Sequence, residues 1–143
     1  MKVKVKQLRP NAKLPTYATD GSGAFDLYAV DGGYMQEGEN AQYGTGLSFE
    51  VPEGHVMLIF SRSGHGARGI RLANCVGVID SDYRGEVFVM LHNDGISEFS
   101  FVVNAGDRIA QALILPIPRV EFEVVDELSP TARGDGGFGS TGS

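Results

Sequence analysis

The sequence predicts an all-β fold, a sandwich or barrel of short strands, within a single domain. Apolar and polar residues alternate over 1–6, in part over 86–92, and over 120–124, as in half-buried strands. Two continuous apolar runs, Val56–Phe60 and Ala112–Leu115, have strand length and are typical of strands covered on both faces. Turn-forming residues, mostly Asp or Asn beside Gly, separate about ten such runs. No amphipathic helix of convincing length is visible.

Size and charge narrow the possible functions. The chain has 143 residues and a mass of 15.3 kDa, which suits one domain with a core of its own. It carries 12 basic and 18 acidic residues, a net charge of −6. Because affinity for nucleic acid comes from neutralised phosphates, an acidic chain is a poor nucleic-acid binder. An anionic ligand therefore has to meet a local group of Arg side chains, main-chain N–H groups or a metal.

The single cysteine and the short apolar runs indicate a cytoplasmic protein that does not contact membranes. If the protein is viral, the cytoplasm is that of the host. Cys75 alone cannot form an intramolecular disulfide or a cysteine-based zinc site, and we expect it to be a buried small hydrophobe. The longest apolar runs have five residues, whereas a membrane-spanning helix needs about 20. No apolar signal-peptide region follows the first residues.

Two polar side chains are predicted inside apolar strands. Asp26 lies in the segment Ser22–Tyr28 and needs a partner, because burial of an unpaired carboxylate is costly. An ion pair or turn cap is favoured over an outer-shell metal ligand. Gln111 enters the apolar strand that follows Gly106, where it either orients a water or pairs with the main chain.

Three glycine-marked segments are further candidates for binding or catalysis. The loop 61–67 is either an anion-binding concavity or a plain surface loop. The segment 74–85 is predicted as a β-hairpin whose main chain is able to pair with a nucleobase. Its Asp80 and Asp82 are a metal site, a base or turn residues, and spacing alone favours turn residues. The tail 133–142 is a mobile phosphate cradle or, as composition favours, a disordered terminus.

The order of these segments is more specific than any one of them. SGAFDLYA, SRSGHGAR, GVIDSDYRGEV, GDRIAQ and RGDGGFGSTG together resemble the five ordered motifs of the trimeric dUTP pyrophosphatases (dUTPases), over residues 22 to 142. The resemblance implies a β jelly roll, 1–132, and a flexible C-terminal arm, 133–143, that closes over the site. It also implies a homotrimer with sites shared between subunits. Phe25, Ser61 and His65 depart from the usual family residues.

The reaction that the resemblance implies is hydrolysis of dUTP to dUMP and pyrophosphate, which limits uracil in DNA. Asp80 resembles the acidic residue that holds and deprotonates the attacking water, and Gln111 the residue that helps to orient it. Attack falls on the α-phosphorus, with Mg²⁺ on the triphosphate. Asp26 resembles the carboxylate that contacts this metal through waters.

The resemblance also implies substrate contacts. Asn74 and the main chain of 77–79 read uracil, and Tyr83 packs under the deoxyribose. Asp82, Arg84, Asp107 and Arg108 are assigned structural roles in ion pairs at turns or subunit contacts. The full set of implied substrate-binding residues is Arg62, Ser63 and Gly64 for phosphates, Asn74, Gly77, Val78 and Ile79 for uracil, Tyr83 for the sugar, and Arg133, Phe138, Gly139, Ser140 and Thr141 in the arm, where Phe138 stacks on the base.

Two alternatives share the fold: another enzyme, and a protein of a different functional class. A dCTP deaminase on the same fold needs a carboxylate near the pyrimidine C4 and lacks this form of glycine-rich tail. A regulatory or interaction protein of the same fold is expected to have lost Asp80, Gln111 or the tail, and this chain has all three.

Overall fold

The described part of the chain folds into eleven short strands and one helical turn, which confirms the predicted all-β class. The computed structural model describes residues 1–96 and 100–137. None of the helical structure in these ranges is long and apolar enough to cross a bilayer. The elements are β1 (Lys4–Gln7), β2 (Phe25–Tyr28), β3 (Gly33–Gln36), β4 (Asn40–Gly44), β5 (Leu47–Glu50), β6 (His55–Phe60), α1 (Ser63–Gly66), β7 (Ile70–Leu72), β8 (Gly77–Ile79), β9 (Phe88–Asn93), β10 (Ser100–Val103) and β11 (Arg108–Pro116).

The strands form four antiparallel sheets rather than a closed barrel over the described ranges. The largest sheet has the order β2-β11-β6-β8, and a second has the order β4-β9-β7. Two further pairs, β1-β5 and β10-β3, complete the set. Buried side chains from these sheets pack into one hydrophobic core, whose largest members include Leu27, Met57 and Ile109. Burial of such apolar area is the main stabilising term for a domain of this size.

Alternation predicts β9 and β1 well. In β9, Val89 and Leu91 are buried, whereas Phe88 and Met90 are exposed. β1 begins at Lys4, and Val5 packs against the core from one face of that strand. One face of each strand is thus apolar because only one face meets the core.

The strand predicted over 120–124 is absent. The segment has no regular secondary structure and lies in no sheet, and Phe122 and Val124 are 90% and 99% exposed. Alternation creates an apolar face here, but a strand also requires a neighbouring edge with which to pair. No described part of the chain supplies that edge, so the prediction is wrong for the single chain.

The hairpin predicted over 74–85 is also corrected. β8 pairs with β6, whereas β9 pairs with β4 and β7, so the strands on either side of the acidic turn belong to different sheets. The turn, in which the Tyr83 N–H donates to the Asp80 carbonyl at 3.2 Å, carries the chain from one sheet to the other. Cys75, expected to be buried, is exposed and has φ 63°, a left-handed conformation at the turn before β8.

Candidate functional site

The centre of the four-stranded sheet brings together three of the predicted site segments. Asp26 on β2 lies directly opposite Gln111 on β11. Gln111 in turn lies opposite Phe60, the last residue of β6, and the chain then continues into Arg62. Antiparallel pairing places directly opposed side chains about 4.5–5.5 Å apart at Cβ. The register of one sheet therefore assembles the first, second and fourth motifs.

Asp26 is a buried carboxylate shared by two guanidinium groups. It is 8% exposed, and it accepts hydrogen bonds from Arg62 Nε at 3.2 Å and from Arg108 Nη1 at 3.3 Å. The two contacts use different oxygens, Oδ1 and Oδ2. This is the ion pair that the sequence favoured. A carboxylate has about four lone-pair sites, so each oxygen keeps acceptor capacity for a water.

Gln111 is tied to the main chain at the end of β6. Its Nε2 donates to the Ser61 carbonyl at 2.9 Å, and the Ser61 hydroxyl accepts the Leu72 N–H at 2.8 Å. Ser61, a departure from the family pattern, thus joins β6, β7 and β11. Because the bond from Gln111 uses the amide nitrogen, the amide oxygen can accept a hydrogen bond from a water.

The predicted phosphate loop is a single helical turn. Arg62 is extended, and α1 then closes with the Gly66 N–H donating to the Arg62 carbonyl at 3.0 Å. Ser63 and Gly64 are exposed on this turn. The turn borders a cavity of about 280 Å³ whose walls include Arg62, Arg68 and Arg108. Several positive charges around one concavity favour an anionic ligand.

His65 faces inward from the same turn. Its ring packs edge-on against Phe101 of β10, with centroids 5.3 Å apart, and the Arg68 guanidinium lies 4.8 Å from the centroid of the same phenyl ring. Burial lowers the pKa of His65, and the positive charges of Arg62 and Arg68 lower it further. The imidazole is therefore predominantly neutral near pH 7.

The segment predicted to read uracil presents an open strand edge. Among the strands of residues 1–96 and 100–137, β8 is the last of its sheet and pairs with β6 alone, so its other edge has main-chain N–H and C=O groups outside the sheet hydrogen bonds. Val78 on β8 is 59% exposed. Asn74 stands in the preceding turn, where its carbonyl accepts the Val76 N–H at 2.7 Å. At Gly77 a Cβ would lie 3.1 Å from the Ile59 Cβ, so a side chain would press on β6.

Asp80 lies apart from Gln111 of the same chain, although it directly follows the uracil-reading strand β8. β8 runs antiparallel to β6 with Ile79 opposite Met57, whereas Gln111 lies opposite Phe60. Asp80 therefore stands near the start of β6, roughly 13 Å along the strand from Gln111 at about 3.3 Å per residue. It borders a different cavity, of about 1070 Å³, together with His55 and Arg84.

The turn that carries Asp80 is held by its own side chains. The Tyr83 hydroxyl donates to the Glu86 carbonyl at 2.9 Å, and Arg84 Nη1 donates to the Ser81 carbonyl at 2.7 Å. The Ser48 hydroxyl donates to the Arg84 carbonyl at 2.7 Å. Arg84 thus has a structural role at this turn through hydrogen bonds with main-chain carbonyls, and the turn presents Asp80 from a fixed backbone.

The C-terminal arm is described only at its beginning. Arg133 Nε donates to the Gly136 carbonyl at 2.9 Å in an exposed turn. Phe138, Gly139, Ser140 and Thr141 lie outside the described residues, so their predicted substrate contacts remain predictions.

Arg108 is the residue at this centre to which the sequence assigned only a structural role. Its guanidinium shares the Asp26 carboxylate with Arg62 and borders the same cavity. The available signal was its position three residues before Gln111 on the same strand, β11, which also pairs with the strand of Asp26. Asp107 matches its predicted turn role, since it accepts the Asn104 N–H at 2.8 Å.

The comparisons with known proteins agree with this geometry. The sequence profile of the dUTPase family matches residues 10–142. The deoxyuridine 5'-triphosphate nucleotidohydrolase of Nautilia profundicola is 45% identical to this chain over 99% of both proteins. The deoxyuridine 5'-triphosphate nucleotidohydrolase of Anaplasma marginale is also 45% identical, over 100% of this chain and 99% of the relative. The solved dUTPase of Staphylococcus bacteriophage 80alpha with dUPNHPP superposes with a TM-score of 0.91 at 27% identity, over 99% of each chain.

These matches extend over nearly the whole chain. The profile spans the first motif to the arm, and the relatives are of nearly the same length. The structural likeness confirms the fold that the ordered motifs implied. The chain is therefore an enzyme that belongs to the dUTPase family.

Proposed function

We propose that this chain hydrolyses dUTP to dUMP and pyrophosphate at sites that each combine residues from more than one copy of it. The observation that carries the proposal is the separation of Asp80 from Gln111 and Arg62 along β6. A base and the group that orients its water must lie within hydrogen-bond reach of one reacting centre. One chain cannot meet this condition, because these residues are fixed at separate places along a single sheet. Two copies can meet it.

The phosphate end of the proposed site is the cavity beside α1. Arg62 and Arg108 supply positive charge, and Ser63 and Gly64 supply donors on an exposed turn. Guanidinium groups match phosphate oxygens geometrically and keep their charge at all working pH values. Their fixed positions around Asp26 reduce the reorganisation needed as negative charge moves toward the leaving pyrophosphate.

Mg²⁺ fits this donor set as an ion carried by the substrate. The described residues include no group of three or more His, Cys, Asp or Glu side chains that could hold a metal by themselves. Mg²⁺ usually keeps several waters and binds through one or two carboxylates plus substrate phosphates. Asp26 is the carboxylate that would accept hydrogen bonds from the waters bound to Mg²⁺. When bound with the triphosphate, Mg²⁺ supplies charge neutralisation.

The hydrolytic step requires one base and one oriented water. The Asp80 carboxylate of one copy accepts a proton from water, and the amide oxygen of Gln111 from another copy orients that water. The water oxygen bonds to the α-phosphorus as the bond from this phosphorus to the pyrophosphate oxygen breaks. The pyrophosphate leaves with its charge held by Arg62 and its neighbours.

Selectivity for uracil follows from the open edge of β8. Main-chain donors and acceptors of 77–79 are fixed by pairing with β6 and cannot exchange roles. Cytosine carries an amino donor where uracil carries a carbonyl acceptor at C4, so cytosine would leave buried polar groups unpaired. Such mismatches give strong discrimination.

Exposed apolar side chains support the trimer. Phe122, Val124 and Leu128 are largely uncovered in the single chain, although apolar residues in such number are usually buried. We propose that a homotrimer covers them, that the domain 1–132 forms the shared sites, and that the arm 133–143 closes each site from a neighbouring copy. The enzyme acts in the cytoplasm, where nucleotide pools are maintained.

The direct test is pyrophosphate release from dUTP, dTTP, dCTP and UTP, with and without Mg²⁺. We expect rapid release from dUTP with Mg²⁺ and at least about 100-fold lower kcat/KM for the other three nucleotides, a difference of about 2–3 kcal/mol. Cytosine mismatches the polar groups of the strand edge, whereas dTTP adds a methyl group and UTP adds a 2′-hydroxyl that would clash in a site shaped for dUTP. Ammonia release from dCTP would instead establish a deaminase.

Shared sites predict that two impaired variants restore activity when mixed. One variant is Asp80→Asn, and the other lacks residues 133–143; the latter should lose about 10- to 100-fold in kcat/KM if Phe138 stacks on the base. After subunit exchange, some trimers would contain a site with both an intact Asp80 and an intact arm. Activity should rise above the sum of the separate preparations. Exchange demonstrated by mass spectrometry without this rise would contradict shared sites.

A further inference from the structure

His65 connects the phosphate loop to two strands of the core. It lies in α1, directly after Ser63 and Gly64, and its ring packs edge-on against Phe101 of β10 at 5.3 Å. The main chain of Ile109 on β11 faces the same imidazole. The other three residues of the turn, Ser63, Gly64 and Gly66, are exposed, so His65 is the residue of α1 whose side chain packs toward the protein interior.

The environment of the imidazole opposes its protonation. Arg62 and Arg68 face it from its own segment, Arg108 borders the same cavity from β11, and Phe101 offers no charge. Asp107 and the main chain of Ile109 act in the opposite direction but more weakly, and the pKa of His65 is lowered. Nδ1 is buried and has no hydrogen-bond partner among the described residues. Protonation would turn Nδ1 into a buried donor without an acceptor, beside like charges.

We propose that His65 is a positioning residue for the triphosphate site, which holds α1 against β10 and β11 while neutral and releases it when protonated. The inference rests on the proposed function, since it assigns phosphate binding to the loop that His65 anchors. Release of α1 displaces the hydrogen-bond donors of Ser63 and Gly64. It also displaces the main chain from which the Arg62 side chain extends. Nucleotide affinity therefore falls in acid while the base and the water-orienting group stay in place.

The sign of the effect follows from proton linkage. A detached loop takes up a proton with the ordinary histidine pKa of about 6.5, whereas the docked loop resists protonation. Docking is thus fully present above about pH 6.5 and is lost as pH falls below that value through the lowered pKa. The substrate's terminal phosphate also titrates in this range, but it does so equally for every variant.

The test measures the dissociation constant of dUPNHPP with Mg²⁺ between pH 5 and pH 8.5. The proteins are the unaltered chain, His65→Leu, His65→Gln and the control His92→Gln. His92 is a suitable control because its imidazole contacts Asn40 Oδ1 at 2.7 Å and Asp94 Oδ1 at 3.2 Å, away from α1. Circular dichroism and oligomeric state establish that each variant folds. NMR of the unaltered protein follows the titration of the His65 ring directly.

We expect the unaltered chain and His92→Gln to lose about tenfold more affinity than His65→Leu between pH 7.5 and pH 5.5, because only these two proteins carry an imidazole at position 65 that can be protonated. His65→Gln should match His65→Leu in its pH response, and the His65 ring should titrate below pH 6.5. Parallel pH profiles for all four proteins, or a ring that titrates at or above pH 6.5, would overturn the proposal. Absence of dUTP hydrolysis at every pH would refute the proposed function, while ring titration and dUPNHPP affinity would still decide the role of His65.

Discussion

Replacement of Asp80 by Asn is expected to lower kcat for dUTP by about 10³-fold, with little change in the dissociation constant of dUPNHPP. General-base catalysis contributes about 10²–10⁴-fold, and an amide cannot accept the proton of the attacking water. Asp80 is exposed in the single chain and borders an open cavity, so the substitution does not remove a core contact. Single-turnover kinetics would separate the chemical step from binding.

Asp82→Asn is the matched control for this prediction. Asp82 lies two residues further along the same exposed turn and loses the same charge. Its kcat is expected to stay within about threefold of the unaltered enzyme, as for a surface substitution. Retention of a tenth or more of the activity in Asp80→Asn would rule out Asp80 as the base.

Replacement of Asp26 by Asn should both destabilise the protein and lower kcat/KM by at least about 100-fold. The carboxylate is buried and joins Arg62 to Arg108, and its loss leaves two guanidinium groups facing an amide. Removal of one partner from a buried ion pair costs about 3–5 kcal/mol, and we expect about 2 kcal/mol here because both arginines are partly exposed. Activity falls further because the phosphate-binding arginine is no longer held.

Urea unfolding measures the stability change, and Asp31→Asn is the control. Asp31 pairs with Arg9 at 2.5 Å, but both side chains are about half exposed or more. Such a pair contributes roughly 0–1 kcal/mol, so Asp31→Asn should change the midpoint little. Equal destabilisation by the two substitutions would show that Asp26 is not a buried structural centre.

The strands could be predicted from the sequence where a strand finds its partner inside the chain. β9 has the alternation of a half-buried strand, and β6 and β11 have continuous apolar runs, because their neighbours lie within the fold. The segment 120–124 alternates equally well but has no neighbouring edge among the described residues. Local pattern reports which face of a strand is apolar; it does not report whether a partner exists.

The centre of the site was predictable for a similar reason. Asp26 and Gln111 are polar residues within apolar strands, and such residues need partners that a sheet register supplies. The position of Asp80 was not predictable, because the turn at 80–83 could close a hairpin or change sheets, and only the pairing of β8 with β6 decides between these. Cys75 was misassigned because apolar neighbours do not disclose a left-handed turn.

The distance that separates the two halves of the site along β6 has a genetic consequence. Suppose that each site takes its general base from one copy and its phosphate-binding residues from another. One substitution in the base and one in the phosphate-binding residues, both on the same polypeptide, then inactivate two sites of the assembly. The same two substitutions on different polypeptides can meet in a single site and leave the other sites active. A cell with one allele defective in the base and another defective in phosphate binding would then show interallelic complementation and would keep more activity than the mean of these two alleles.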